Sequence, residues 1–197
     1  MTAIEGQAMS DGSRTSSSSA EGISTAVKDF RVATADSGDI EDADIVVLLR
    51  RVREILAMDV IFVGEFTDRQ QVLHLTDSEY EEDRKIDGLA TDLSETYCQL
   101  MVQSRVPRSV PDVSKVDLLA ALPATQGLGI ASYLSVPVTM ADGQLYGTLC
   151  CLSHATQPEL GYRQERSLDE VAQLIAEIVE RNRLLRMRRQ AKGRNSN

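Results

Sequence analysis

A chain of 197 residues with 42% hydrophobic residues can bury one core, so we expect one folded domain. Its formal net charge of −9 argues against general nucleic-acid binding. No apolar run approaches the roughly 20 residues of a membrane-spanning helix, and the N-terminus lacks the basic start and apolar stretch of a signal peptide, so we expect a cytoplasmic protein without membrane association.

The charge and the cysteines are distributed unevenly. Residues 1–44 hold nine acidic and three basic side chains, whereas seven basic residues and no acidic ones follow Glu180. The three cysteines, Cys98, Cys150 and Cys151, are too few and too clustered for a disulfide framework, because neighbouring residues on a strand face opposite sides. The sequence therefore predicts reduced thiols.

The two ends of the chain are predicted to be disordered tails around a domain at residues 41–186. Residues 1–40 are rich in Ser, Gly, Asp and Thr, with the run Ser16 to Ser19, and such a composition cannot bury enough surface to offset the entropy lost on ordering. Three apolar residues of this tail are expected to dock only weakly: Ile23, Val27 and Phe30. Residues 187–197 are predicted to form a basic disordered tail.

The first half of the domain predicts a helix, a hairpin and a second helix. Asp44 can cap a helix with apolar residues at helical spacing: Ile45, Leu48, Leu49, Val52, Ile55 and Leu56. Two short apolar runs around the polar turn 67–70 predict a β-hairpin at residues 60–63 and 72–75. The acidic segment from Asp77 to Asp83 is predicted to be a solvated loop, and a helix is predicted from Asp92 or Ser94 through Val102.

The second half predicts a short edge strand, a strand hairpin and a long helix. The edge strand is expected at residues 110–113, because Pro111 lacks the donor that a central strand needs. Helical turns over 117–122 are expected to end at Pro123 and Gly127. Asp142-Gly143 is a strong hairpin turn between strands 131–140 and 145–152. With a helix over 163–190, this order predicts an α+β fold, a largely antiparallel sheet flanked by N- and C-terminal helices.

The last helix carries two signals of a partner. Five apolar residues and Asn182 follow a heptad repeat in which Asn182 takes an a position, and this pattern predicts a homodimer. The apolar residues of the repeat are Leu168, Val171, Ile175, Ile178 and Leu185. The first half of this stripe equally fits a helix that covers its own sheet. The basic end of this helix contains Arg181, Arg183, Arg186, Arg188 and Arg189. It could bind an acidic partner or nucleic acid, of which nucleic acid is not favoured. Alternatively, its positive charge compensates the negative end of the helix dipole at the C-terminus.

The strand hairpin resembles the last hairpin of the GAF domain family. There a strand ending in Val-Pro, as at Val136-Pro137, is followed by a turn and a Gly-x-Leu strand, as at Gly147 to Leu149. The segment 110–113 resembles the family's middle strand, and the resemblance extends over residues 42–186. The strand at 146–151 is similar to those of GAF modules in bacterial cyclic-di-GMP signalling proteins. The resemblance implies a stand-alone GAF module, since the sequence leaves no room for such an output domain.

The resemblance also implies a function and a site. GAF domains place a ligand between the sheet and the middle connecting segment, which implies a non-enzymatic sensory domain that binds a small molecule or a partner protein and signals through its terminal helices. On this basis the ligand-contacting residues would be Tyr97, Cys98, Met101, Asp112, Tyr133, Ser135, Thr148 and Cys150. For Cys150 and Cys151, the role of small buried hydrophobes is favoured over that of redox-active thiols.

Other chemistries of the family fit the residues less well. Bilin-binding relatives follow their attachment cysteine with His, whereas Gln99 follows Cys98, and the isolated His74 and His154 do not suggest a haem site. A free methionine-(R)-sulfoxide reductase is the leading enzymatic alternative, but the family's attacking cysteine precedes the Val-Pro strand, and residues 127–132 contain no cysteine. No ligand set with metal-binding spacing stands out, so we expect no metal or cofactor, and the acidic run 79–83 is interpreted as a solvated face.

Overall fold

The computed structural model describes residues 12–33 and 42–194. Its strands are β1 (Val60–Phe66), β2 (Gln70–Ser78), β3 (Ala90–Asp92), β4 (Ser109–Val110), β5 (Ser132–Thr139) and β6 (Leu145–Ser153). Its helices are α1 (Gly12–Ala33), α2 (Asp42–Leu56), α3 (Glu81–Arg84), α4 (Tyr97–Val102), α5 (Asp117–Ala120), α6 (Pro123–Leu128) and α7 (Tyr162–Arg194). The described helices include none that is long and apolar enough to cross a membrane.

The described strands form one six-stranded sheet with the order β3-β2-β1-β6-β5-β4. Each neighbouring pair is antiparallel, so the predicted α+β class and both predicted hairpins are confirmed. The short strand β4 lies at one edge, as the prolines beside it predict. It ends at Val110, earlier than expected, because the Asp112 side chain caps a 3₁₀ turn over Val113–Lys115.

Each face of the sheet is covered by its own layer. Helices α1, α2 and α7 pack on one face, and the segment that contains α3 to α6 packs on the other. Side chains of β5 alternate between the two layers, since Leu134 and Val136 belong to the first core and Tyr133 to the second. We call these layers the helical face and the connecting face.

Helix α1 corrects the prediction that residues 1–40 are a disordered tail. Its residues Ile23, Ala26 and Val27 are buried in the core of the helical face, and Arg31 makes a bidentate ion pair with Glu177 of α7 at 2.7 and 3.1 Å. Three apolar side chains at helical spacing are enough to dock a helix onto a preformed groove, although the surrounding residues are polar. The remaining residues of this predicted tail lie outside the described residues.

Helix α7 corrects the prediction of a disordered tail from residue 187. It continues to Arg194, because its last turns hold strong helix formers such as Arg, Leu and Met and contain no proline. The apolar stripe of its first half covers its own sheet: Leu168, Val171, Ile175 and Ile178 are all buried in the core of the helical face. Beyond the sheet, Leu184 and Met187 are more than half exposed.

Three local predictions also differ from the structure. Helix α2 begins at Asp42 instead of Asp44. The helical turn α5 ends before Pro123 as predicted, but Pro123 then begins α6, which runs through Gly127, since the first turn of a helix needs no donor from that residue. Asp77 is not in a solvated loop but at the end of β2, where it is buried and bonded to Arg53.

Candidate functional site

The connecting face brings seven of the eight predicted ligand residues together. Strands β5 and β6 supply Ser135 and Cys150 as directly paired neighbours, and Thr148 lies two residues from Cys150 on the same face. Helix α4 lies over them, and its first turn is fixed by the Thr96 side chain, which accepts a hydrogen bond from the Gln99 backbone. All seven are buried: Tyr97, Cys98, Met101, Tyr133, Ser135, Thr148 and Cys150.

The centre of this cluster is a pair of sulfur atoms. Cys98 Sγ lies 2.9 Å from Cys150 Sγ, although the two residues are free cysteines on different elements. Cys150 Sγ is also 3.1 Å from Ser135 Oγ and 3.2 Å from Thr148 Oγ1. Cys150 therefore has polar neighbours, whereas Cys151 points into the core of the helical face and fits the predicted role of a small hydrophobe.

Two tyrosines form one wall of the cluster. The Tyr97 and Tyr133 ring centroids are 4.9 Å apart with an interplanar angle of 49°. The Tyr97 hydroxyl is hydrogen-bonded to the Thr125 hydroxyl, which in turn donates to the Leu119 carbonyl. Through these bonds, Tyr97 connects α4 to α5 and α6.

Gln71 belongs to this site, and the sequence reasoning missed it. Its side chain is 2% exposed, and a Cβ at Gly64 would overlap its amide nitrogen, so Gly64 provides the space that Gln71 occupies. Gln71 lies between the predicted turn 67–70 and the predicted strand 72–75 and was assigned to neither. The available signal was the two-residue spacing between Gln71 and Leu73, which places both on the buried face of β2.

Two polar groups of the cluster lack an ordinary hydrogen bond. Among the described residues, neither Gln71 Nε2 nor the Tyr133 hydroxyl has a partner at hydrogen-bond distance, although both atoms are buried. Leaving a buried donor unpaired costs about 1–3 kcal/mol. Both groups nevertheless lie near enough to Cys98 to act on its thiolate.

The environment makes the two thiols of the pair unequal. Burial raises the pKa of Cys98, but hydrogen bonds from Cys150 and Thr148, together with the nearby amide of Gln71 and hydroxyl of Tyr133, outweigh burial and hold that pKa below its ordinary value. Burial, together with the hydrogen bond to Cys98, raises the pKa of Cys150 well above the ordinary thiol range. Of the two thiols, Cys98 is the one whose surroundings favour the thiolate.

Asp112 is the one predicted ligand residue that the structure does not bring into the cluster. Its carboxylate accepts hydrogen bonds from the Ser114 backbone and hydroxyl at 3.1 and 2.6 Å, and Lys115 Nζ lies 3.1 Å away. Hydrogen bonds from Ser114, with that from Lys115, lower the pKa of Asp112. An acid at this position starts the 3₁₀ turn after β4, because its side chain satisfies free backbone donors.

The predicted partner-binding arginines lie on the last turns of α7. Arg183 lies against the body of the domain, since its guanidinium is 5.3 Å from the centroid of the Tyr146 ring and 3.7 Å from Glu65. Three others are exposed to solvent: Arg186, Arg188 and Arg189. Arg181 is partly buried.

The histidines lie outside the cluster, and both pair with acids. His74 lies 3.3 Å from Glu65, and His154 lies 3.1 Å from Asp83. Among the described residues, no group of three His, Cys, Asp or Glu side chains is arranged to hold a metal ion.

The GAF domain family model matches residues 46–179, and the chain therefore belongs to the GAF domain family. The diguanylate cyclase DgcP of Escherichia coli (strain K12) is 37% identical over 68 residues, which cover 34% of this chain and 20% of that protein. The chain thus spans about a fifth of this curated relative.

Two solved structures share the fold. The GAF domain of a phosphoenolpyruvate-protein phosphotransferase from Acinetobacter superposes with a TM-score of 0.63 at 16% identity, covering 83% of this chain and 96% of that chain. The free methionine-R-sulfoxide reductase of Neisseria meningitidis, solved in complex with its substrate, gives a TM-score of 0.64 at 18% identity, covering 93% of this chain and 99% of that chain. At these identities, the likeness concerns the fold alone.

Proposed function

We propose that this GAF domain is a sensor that binds a small uncharged molecule at the cluster on the connecting face and signals through α7. The observation that carries the proposal is the pair of buried polar groups without ordinary hydrogen bonds, Gln71 Nε2 and the Tyr133 hydroxyl. A ligand that accepts from both would recover the cost of leaving them unpaired. The described contacts around them include no Asp, Glu, Lys, Arg or His side chain, which favours an uncharged ligand.

The proposed signal has a short route through the sheet. On β5, Tyr133 and Ser135 face the cluster, whereas the residues between and beside them, Leu134 and Val136, face the helical side. Leu149 and Cys151 of β6 alternate with cluster residues in the same way, and the helical core that they join includes the buried stripe of α7. A ligand shifts α7 only as far as it prefers one arrangement of these strands over another.

Thermal unfolding of the full chain with single added compounds tests the proposal. The compounds are nucleosides, nucleobases and uncharged metabolites, with cyclic nucleotides as charged comparisons. We expect the melting temperature to rise with at least one neutral compound and to rise further with its concentration. If every compound leaves the melting temperature unchanged, the sensing role is wrong.

Tyr133→Phe is the matched variant for this experiment. Removing a buried hydroxyl that has no ordinary hydrogen-bond partner should leave the free protein as stable as before or stabilise it by about 1 kcal/mol. The same variant should lose most of the ligand-induced rise in melting temperature. A variant that is less stable without ligand and still responds fully would contradict the role given to this hydroxyl.

A second candidate function is homodimerisation through the exposed end of α7. Leu184 and Met187 are 53% and 57% exposed and lie three residues apart, so they share one face of the helix. The seven cations after Glu180 find opposite charge in the acidic first 44 residues of a second copy. A second copy of this chain is therefore the proposed occupant of this face.

Light scattering after size exclusion tests the dimer. We expect the unmodified chain to be dimeric at tens of micromolar and the double variant Leu184→Glu with Met187→Glu to be monomeric. Leu118→Glu is the control, because Leu118 is similarly exposed but lies on α5. A monomeric unmodified chain would contradict the dimer and favour an acidic partner or nucleic acid instead.

A further inference from the structure

Cys98 and Cys150 are positioned to form a disulfide. Their sulfur atoms are 2.9 Å apart, and a disulfide bond is about 2.05 Å long, so bond formation requires the sulfurs to approach by only roughly 1 Å. The residues lie 52 positions apart, on α4 and on β6, so the contact is produced by the fold and not by chain proximity. Cys151, which is adjacent to Cys150, faces the opposite core and cannot substitute for it.

The surroundings give the two thiols different chemical roles. Cys98 is surrounded by side chains that stabilise a thiolate: Thr148, Gln71, Tyr133 and Cys150. A thiolate is the nucleophilic form of cysteine. Cys150 stays protonated and can donate to Cys98, which is the arrangement of an attacking thiol and a resolving thiol.

We propose that Cys98 and Cys150 form a redox-active dithiol that reacts with small hydroperoxides. In the first step, the Cys98 thiol releases its proton and the thiolate attacks the terminal oxygen of the peroxide. The O–O bond breaks, and hydroxide, or alkoxide from an alkyl hydroperoxide, leaves with the displaced electron pair and takes up the proton that Cys98 released. Cys98 becomes a sulfenic acid. In the second step, the Cys150 sulfur attacks the Cys98 sulfur; the S–S bond forms, the S–O bond breaks, and water leaves with the Cys150 proton. Two thiols and one peroxide give one disulfide and two waters, or one water and an alcohol for an alkyl hydroperoxide.

Burial selects the oxidant. Cys98 is 2% exposed and Cys150 is fully buried, so a bulky oxidant such as oxidised glutathione cannot reach either sulfur in the folded chain. Hydrogen peroxide is about as small as water and can enter when α4, a six-residue helix, moves away from the sheet. A small dithiol reductant that enters in the same way returns the disulfide to two thiols by thiol–disulfide exchange and is itself oxidised to a disulfide.

The disulfide would also regulate the proposed sensor. It would tie α4 to β6 beside Gln71 and Tyr133, so an oxidised chain should bind the ligand less well. This consequence alone rests on the proposed function, since the oxidation of the pair does not require a ligand. The two ideas are tested separately: the ligand experiment uses fully reduced chain, and the oxidation experiment uses chain without ligand.

The experiment treats the reduced full chain with hydrogen peroxide and measures intact mass, free thiols and disulfide-linked peptides. We expect the mass to fall by two hydrogen atoms, the free thiols to fall from three to one, and the linked peptides to contain Cys98 and Cys150. Cys98→Ser and Cys150→Ser should each lose the disulfide. Cys151→Ser is the matched control and should form it like the unmodified chain.

Several outcomes would overturn the proposal. The first is that no disulfide forms at peroxide concentrations that oxidise an ordinary surface thiol. The second is a disulfide that includes Cys151, and the third is oxidation of the pair by free methionine sulfoxide but not by peroxide. Because Cys98→Ser could fail to fold, its thermal unfolding is compared with that of Cys98→Ala. If both are unfolded, the linked-peptide map of the unmodified chain decides the matter by itself.

Discussion

Arg53 Nε donates a hydrogen bond to a carboxylate oxygen of Asp77 at 2.8 Å, and both side chains are less than a tenth exposed. Arg50 Nε donates to the other carboxylate oxygen at 3.0 Å, and Arg53 also donates to the Met58 carbonyl at 3.2 Å. These bonds hold the helix α2 against the end of β2. A buried charge strongly destabilises the fold when its partner is lost, so the Arg53–Asp77 pair favours the one arrangement of α2 on the sheet that keeps the two side chains together.

Asp77→Asn should destabilise the protein strongly. The substitution leaves the Arg53 guanidinium buried without a counter-charge, which costs about 3–5 kcal/mol of unfolding free energy. Urea unfolding followed by far-UV circular dichroism measures the change. Asp29→Asn is the control, because Asp29 and Arg51 form an exposed pair at 3.6 Å whose loss should cost less than about 1 kcal/mol. Equal losses in both variants would contradict the importance of burial.

Gly147→Ala should disrupt the centre of the sheet. Gly147 of β6 pairs with Glu65 of β1, and a Cβ at this position would overlap the backbone carbonyl of Gly64, which cannot move without breaking the ladder. We expect a loss of at least about 1–3 kcal/mol in unfolding free energy, measured by urea unfolding.

Gly127→Ala is the matched control for this substitution. A Cβ at Gly127 meets no atom within 4 Å, and the residue lies in the helix α6. Alanine is the better helix former, so this variant should be as stable as the unmodified chain or more stable. If Gly147→Ala unfolds at the same urea concentration as Gly127→Ala, the close approach of β6 to β1 is wrong.

The sheet and its main helices were predictable because their patterns are local. The Asp142-Gly143 turn between two apolar runs predicted the hairpin β5–β6, and the apolar spacing from Ile45 to Leu56 predicted α2. Such signals depend only on neighbouring residues. The resemblance to the GAF family predicted which residues form the candidate site.

The missed features depend on contacts between distant parts of the chain. Helix α1 is polar in composition and acquires its order from a groove that α2 and α7 form, which no local pattern encodes. Gln71 could be assigned to the cluster only after β2 was placed beside Gly64. The proximity of Cys98 and Cys150 likewise results from packing α4 on the sheet.

His154 should make the stability of the protein depend on pH. Burial lowers the pKa of His154, but the hydrogen bonds to Asp83 and the Gly129 carbonyl, with the charges of Asp83 and Asp59, outweigh burial and raise it above 6.5. Because the folded-state pKa lies above the unfolded-state value, the stabilisation is complete below about pH 6.5 and is lost as pH rises through the folded-state pKa. The side chain is about one-third exposed, so solvent weakens the effect.

Urea unfolding between pH 5 and 9 measures this dependence. The difference in stability between the unmodified chain and His154→Gln should be largest at the acidic end and should shrink as the pH rises. In the Asp83→Asn background, His154→Gln should show a much smaller pH dependence, because the main acceptor is gone. A difference that grows with pH would mean that His154 is neutral in the folded chain.

Tyr133→Phe should slow the reaction of Cys98 with peroxide near neutral pH. The thiolate is the reactive form, so the rate in the unmodified chain should rise with pH over a range below the ordinary thiol pKa of about 8.5. The Tyr133 hydroxyl helps to lower the pKa of Cys98, after the larger contributions of Cys150, Thr148 and Gln71, so its removal should move the rise to higher pH. The other titratable groups that face Cys98 are Cys150 and Tyr133 themselves, and burial raises the pKa of each. The rate of thiol loss, measured from pH 5 to 10 with Tyr97→Phe as the control, tests this expected shift. Identical pH profiles for Tyr133→Phe and the unmodified chain would show that the Tyr133 hydroxyl does not lower the pKa of Cys98.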